Sequence, residues 1–201
     1  MNIEIASADS ATRRQQISAL LRRIAPALRE FAVNVLAQVR IWRVAYPGIM
    51  HALIFWGVTV QVLGTVINLM QMQLFVPFVE LPFPRAGGYL AFELIMDLAG
   101  LAIIIGVAMA AFRRGVLRPK TLETRFEDVY ALSLLFLIPL VGFSLEGLRL
   151  LSVSPAWAPW SPVGSVFSQT FTALGLRPSL AAQLHPFLFW THAGLGLALL
   201  A

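Results

Sequence analysis

The chain has 201 residues, of which 58% are hydrophobic and only 12% charged, and its mean hydropathy is +0.77. Soluble domains carry about 25% charged residues, so the composition excludes a water-soluble globule and describes an integral membrane protein. The chain has no cysteine, which excludes disulfides, thiol nucleophiles and iron–sulfur ligation within it; its net charge of +5 comes from basic residues clustered beside apolar runs, where they set topology rather than bind nucleic acid.

Residues 1–9 are polar. From Ala11 to Arg43, Ile17, Leu20, Leu21, Ile24, Leu28, Phe31, Val35 and Val39 recur at helical spacing against Arg13, Arg14, Arg22, Arg23 and Arg29. This pattern predicts a basic amphipathic helix on an anionic membrane surface, or docked on a partner, with Pro26 kinking or splitting it. Residues 1–45 therefore read as a cytoplasmic and interfacial segment, and 46–201 as a transmembrane domain. No cleavable signal peptide is expected, since the first long apolar run starts only near Gly48 and is too long for one.

That run, Gly48 to Val76, extends about 29 residues without a charge, more than the roughly 20 that cross a bilayer. Trp42 and Tyr46 anchor its start at the headgroups, and Arg40 and Arg43 mark that side as cytoplasmic. A short outer loop holds Pro77, Pro82, Pro84, Glu80 and Arg85. A second span, Gly88 to Phe112, returns to a basic loop with Arg113, Arg114, Arg118, Lys120 and Arg125, and a third, Asp128 to Leu151, leaves again with Pro139 inside it. The connection from Ser152 to Gln183, with Trp157, Trp160, Phe167 and Phe171, is expected to lie on the outer interface. A fourth apolar stretch starts at Leu184 and stops at Ala201, which reads as a helix cut before its end. The expected fold is all-α: a four-helix membrane bundle with a truncated fourth helix and the basic interfacial helix in front.

Polar residues inside spans need a partner. On the first span these are His51, Gln61 and Asn68, with Gln61 ten residues beyond His51 and expected near the same face. They either hydrogen-bond neighbouring helices or, for the histidine, ligate a b-type haem. His185 and His192, seven residues apart, share a face of the fourth stretch but stand roughly 10 Å apart, too far for one iron. His51 and His192 would lie about 12 Å apart in depth across a 30 Å core, so each needs a different second ligand, and Gln61 is the residue near the level of His192. His185, at the surface, reads as a headgroup-level or quinone-site residue. Glu93 and Asp97 form an i, i+4 pair that could relay protons, and Glu146 with Arg149 an i, i+3 pair that could stitch helices. Glu93, Asp97 and His185 with the Trp157 to Trp160 segment thus define a candidate quinone and proton site.

From Tyr46 to Ala201 the chain resembles the gamma-subunit-like cytochrome b anchors of respiratory nitrate reductase. It resembles more closely their relatives associated with heterodisulfide-reductase-like iron–sulfur proteins. The resemblance rests on HALIFWGVTVQVLGT, on YLAFELIMDLAG with the following Arg pair, on EGLRL with WSPVG, and on FWTHAGLGLAL. It implies two stacked haems, with His51 as the cytoplasm-side ligand on the first span and His192 as the outer-side ligand on the last. Gln61 stands where the family has a second histidine, the remaining ligand would lie beyond Ala201, and the family's leading span is replaced by the amphipathic helix.

The resemblance implies an inner-membrane protein with its N-terminus cytoplasmic, holding one or two b-type haems. It would exchange electrons between quinone and a cytoplasmic iron–sulfur protein or fused domain, as the membrane part of an oxidoreductase rather than a catalyst on its own. The alternative is a haem-free scaffold or small proton-coupled transporter; no broken-helix pair or inverted repeat supports it.

Overall fold

A computed structural model of the chain describes residues 22–36, 38, 39, 41–71, 87–119, 123 and 125–200; among these there is helix and no strand. The amphipathic turns before residue 22 and the loop of Pro77, Glu80, Pro82, Pro84 and Arg85 lie outside the described residues. The chain divides after Gly48 into two units.

In the first unit, residues 22–31 are helical straight through Pro26, so the proline does not split the helix. The break comes later, at a wide π turn over Ala32–Leu36 and at Gln38, whose φ of 51° places it in the left-handed region. The N–H of Ile41 donates to the Gln38 carbonyl at 2.8 Å and opens a 3-10 turn at Ile41–Arg43. Leu28 and Phe31, from the apolar stripe read in the sequence, remain exposed.

The second unit holds α1, Ala45–Met70, from Ile49 onward, then α2, Gly87–Phe112, and α3, Phe126–Val153. A short helix α4, Pro162–Ala173, and a longer α5, Pro178–Leu200, follow. Among the described residues, three helices are long and apolar enough to cross a membrane: Ala45–Met70, Gly87–Leu117 and Phe126–Val153, of 26, 31 and 28 residues. At 1.5 Å per residue each exceeds the roughly 30 Å hydrocarbon core. Their outer faces suit lipid rather than water, with Val62 and Leu63 each 57% exposed and Ile95 54%. The chain is a helical membrane protein.

Small residues set the helix spacing, since dispersion between closely approaching backbones replaces the hydrophobic effect inside lipid. A Cβ on Gly57 would lie 2.6 Å from Ile103 and 2.9 Å from the Ala99 carbonyl, so α1 meets α2 through this gap. Lower on the pair, Gly106 receives Leu53 and Ile54 in the same way. The central element is α3. Phe143 reaches Gly100 on α2, Leu148 and Leu151 cluster with Ala181 of α5, and Phe143 packs on Phe167 of α4.

The region expected to lie on the outer interface is helical over much of its length. After Ser154 ends α3 in a left-handed conformation, a 3-10 turn at Ala158–Trp160 leads into α4. Gly175, at φ 82°, closes α4: its N–H donates to the Thr172 carbonyl and that of Leu176 to Phe171, both at 2.9 Å. This paired C-terminal motif turns the chain, and α5 starts at Pro178 rather than at Leu184. Polar Ser179 and Gln183 hid those first turns from an apolarity reading. α5 runs back along α3, with Ala181 buried at one end and the Ala198 carbonyl accepting the Tyr130 hydroxyl at 2.8 Å at the other.

Candidate functional site

α2 begins and α3 ends at the same end of the molecule, so the acidic residues of one meet the arginine of the other. Arg149 donates from Nε to Glu146 Oε2 at 2.8 Å and from Nη2 to Glu146 Oε1 at 2.9 Å, a two-pronged pairing one turn back on its own helix. The same Nη2 reaches Glu93 Oε1 on α2 at 3.0 Å, and Nη1 reaches the Tyr89 hydroxyl at 3.3 Å. The guanidinium lies over the Trp157 ring, 4.6 Å from its centre, and Trp157 meets Tyr89 edge-on at 5.5 Å. Glu93 and Glu146 keep only 13% and 18% of their side chains exposed and Arg149 35%. Glu146 with Arg149 stitches helices as the sequence reading expects, and Glu93 is the partner across them.

Asp97 is 5% exposed and engaged elsewhere. Its Oδ2 accepts the Val163 N–H at 2.7 Å, and its Oδ1 accepts the Gly164 N–H at 3.2 Å and the Ser161 hydroxyl at 3.1 Å. It caps the N-terminus of α4 from another helix, where unpaired N–H groups and the helix dipole favour a negative charge. Gly164 makes the approach possible, since a Cβ there would collide with Glu146 and Ser161. Both Asp97 oxygens thus accept bonds from the start of α4. The two acids share a helix but serve different partners.

The histidines separate as well. His185 and His192 sit on the face of α5 that turns to α3, along with Ala181 and Leu188, and both are half-buried. His185 lies close enough to Arg149 to feel its charge. The His192 ring rests on Gly142, where a Cβ would stand 3.2 Å from Cε1. Its Nδ1 is buried without a hydrogen-bond partner, and the Ile138 backbone lies close to the ring. His51 is exposed and stacks on Phe55 at 6.1 Å.

Gln61 does not share the His51 face. Ten residues turn a helix about 1000°, which leaves an offset of about 80°, and that offset points Gln61 at α2. There its Nε2 donates to the Met96 carbonyl at 2.9 Å, beside Gly100. It clasps two helices. Among the described residues no group of three or more His, Cys, Asp or Glu side chains converges as a metal site.

A cleft of about 260 Å³ opens near this end between α3 and α4, lined by Leu150, Ser154, Pro155, Ala158, Ser165, Ser168 and Gln169. Its walls mix apolar Leu150, Pro155 and Ala158 with polar Ser154, Ser165, Ser168 and Gln169. Tyr89 and Trp157 place an aromatic cover on the ion cluster.

Fold and site together define a helical membrane protein with a cross-linked ionic cluster at one end of α2 and α3. No protein-family model matches the chain, and no solved structure matches it. It is 30% identical over 187 residues to the EtfAB:quinone oxidoreductase of Syntrophomonas wolfei subsp. wolfei (strain Goettingen), a match covering 89% of this chain and 26% of that protein. The chain thus spans about a quarter of the length of the curated relative it matches.

Proposed function

We propose that the chain is the membrane electron-transfer part of a quinone-linked oxidoreductase, exchanging electrons between the quinone pool and a cytoplasmic iron–sulfur module through b-type haem. The observation that carries this reading is the 30% identity to a protein named for quinone oxidoreduction, extending over 187 residues. The iron–sulfur module must lie in a partner or elsewhere in a longer polypeptide, because the chain has no cysteine. α5 serves as the fourth helix of the bundle. The setting is the inner (plasma) membrane, with the residues before α1 and the Arg113 to Arg125 loop cytoplasmic.

The donor set fits haem at His192. The buried ring nitrogen of His192 without a hydrogen-bond partner is an orphaned donor set that an iron would satisfy, with a nearby backbone carbonyl such as that of Ile138 able to orient the ring. His51, exposed on α1, would serve a second haem nearer the cytoplasmic end. Gln61, its amide nitrogen held by the Met96 carbonyl, keeps its Oε1 as the atom that would face a haem near the level of His192. When bound, the haem supplies one-electron transfer; the chain's residues orient the imidazole through Gly142 and Ile138 and exclude water with the aliphatic faces of α3 and α5.

Quinone chemistry belongs at the Tyr89, Glu93, Arg149, His185 and Trp157 end, where an aromatic wall adjoins groups able to exchange protons. Asp97 holds α4, and with it this wall, in place. A reduced-minus-oxidised optical spectrum of the chain purified from membranes with ample haem tests the reading. A b-type spectrum is expected, reduced by quinol as well as by dithionite, with His192→Ala and His51→Ala each removing a separate component. A haem-free wild-type protein would overturn it.

A further inference from the structure

The helix of the first unit carries an open apolar face, and its charge says what covers that face. From Arg22 to Leu36 every residue is exposed. At about 100° per residue, Ile24, Leu28 and Phe31 fall within an arc of about 60°, and Arg22, Arg23 and Arg29 stand more than about 100° from its middle. Leu28 is 61% and Phe31 52% exposed, and Val35 and Leu36 carry the open apolar surface into the π turn. Residues 1–48 hold seven arginines against three acids. An apolar stripe flanked by guanidinium groups matches a layer with phosphates at its surface and acyl chains just beneath, and long arginine stems can reach back to those phosphates.

Chain continuity brings that layer to the helix. The Val39 N–H donates to the Val33 carbonyl at 3.2 Å, and Gln38, buried and left-handed, makes a corner, so the helix does not run straight on into α1. The turn at Ile41–Arg43 then seats on the first turn of α1, where a Cβ on Gly48 would stand 3.0 Å from the Ile41 carbonyl oxygen and 3.3 Å from the Trp42 Cα. Ala45–Met70 is long and apolar enough to span a membrane, and the seven residue steps from Gln38 to its start reach at most about 25 Å. On so short a tether contact with the headgroups is intramolecular, and a modest interfacial affinity is enough to hold the helix down. A soluble protein partner lacks that advantage.

We propose that the helix over residues 22–36 docks on anionic lipid, with Ile24, Leu28 and Phe31 among the upper acyl chains and Arg22, Arg23 and Arg29 on lipid phosphates. Neutral lipid offers the apolar layer without the net charge and holds the helix more weakly. The dock depends on neither haem nor quinone, so it stands or falls apart from the electron-transfer reading.

The chain has no cysteine, so single thiols can be placed without background. In the full chain in lipid nanodiscs, a bimane fluorophore is attached at Phe31→Cys on the apolar face or at Glu30→Cys on the polar one. Val62→Cys, on the open face of α1, reports correct insertion. Discs of phosphatidylcholine alone are compared with discs of equal phosphatidylcholine and phosphatidylglycerol, using nitroxide-labelled lipid or aqueous acrylamide as quencher. With phosphatidylglycerol, the label at Phe31→Cys should be quenched by nitroxide and protected from acrylamide, and the label at Glu30→Cys the reverse. Lipid contact at Phe31→Cys should fall several-fold in phosphatidylcholine alone, at high salt, or when Arg22, Arg23 and Arg29 are all replaced by Gln. Leu28→Cys repeats the reading with Phe31 in place, so the loss of one apolar side chain does not decide the result. Equal lipid contact in the two disc compositions would overturn the proposal, as would equal quenching at Glu30→Cys and Phe31→Cys. Protection of both Phe31→Cys and Leu28→Cys from both quenchers would show that protein covers the face, and would overturn it too.

Discussion

Both ends of α2 and α3 carry an arginine bonded to a carboxylate, but the two pairs answer to different surroundings. At one end Arg114 reaches Asp128 at 3.1 Å with side chains 22% and 36% exposed, and neighbouring Arg125 and Glu123, 3.9 Å apart, are 76% and 86% exposed. Asp128 there also accepts the Arg125 N–H at 3.1 Å and closes the first turn of α3. At the other end, Glu93 and Glu146 are mostly enclosed, and Arg149 is gripped by two acids, a phenol and an indole. Charges beside water can be met by water, so the first pair adds little to the fold. Charges inside must be met by the protein, so the second set is bound to one arrangement.

The largest effect should come from Arg149→Met, which leaves two enclosed carboxylates without a cation. A loss of about 2–4 kcal/mol is expected in chemical unfolding in detergent, toward the lower part of the range for a broken buried pair because Arg149 keeps 35% of its side chain exposed. A change as small as that of an exposed ion pair would erase the contrast between the ends. Next comes Asp97→Ala, which strips the cap from α4 and leaves the Val163 and Gly164 N–H groups unmatched. It should cost about 1–3 kcal/mol and open residues 154–175 to protease, with Asp97→Asn milder because it keeps an acceptor oxygen. Protease resistance equal to wild type in Asp97→Ala would mean α4 is held by its packing on α3 alone. Smaller again is Tyr130→Phe at the basic end, where one hydroxyl bond to Ala198 is lost from a partly exposed ring. About 0.5–1 kcal/mol is expected, with α5 fraying first in hydrogen exchange.

The spans were legible in the sequence because lipid imposes a length on an apolar run. The second was read as Gly88 to Phe112 and forms Gly87–Phe112; the third was read as Asp128 to Leu151 and forms Phe126–Val153. α4 was missed although its punctuation is present: Ser161 and Pro162 at the start and Gly175 just past the end. Aromatic residues between prolines drew the reading toward an irregular interfacial segment. The site was legible in its membership but not in its pairing. Glu93 and Asp97 look like one acidic pair at i, i+4, yet the partners of Asp97 lie 64 to 67 residues away and those of Glu93 on Arg149, 56 residues away. No local pattern encodes which carboxylate a distant arginine or helix terminus selects. The Gln61 misplacement was different in kind, since the helical angle alone separates it from His51.

The smallest effect on the folded protein should come from replacing Arg113 and Arg114 together by Gln, and its interest lies in where the effect appears instead. These residues belong to the loop whose positive charge, on the topology proposed above, keeps it on the cytoplasmic side during insertion. Their bonds in the folded state, Arg114 to Asp128 and to the Glu123 carbonyl, are available to water. The unfolding midpoint should therefore move little, far less than in Arg149→Met, while the orientation of the inserted chain becomes mixed. The absence of native cysteine allows a direct readout: Gly115→Cys places a thiol where a Cβ meets nothing within 4 Å, open to a membrane-impermeant maleimide. With both arginines present, labelling should occur in inside-out vesicles only; with both replaced, vesicles of either orientation should label. Labelling of Gly115→Cys from the outside in the otherwise wild-type chain would reverse the topology. A stability loss in the double variant as large as that of Arg149→Met would show that the basic end is structural too, and the two ends would no longer differ in kind.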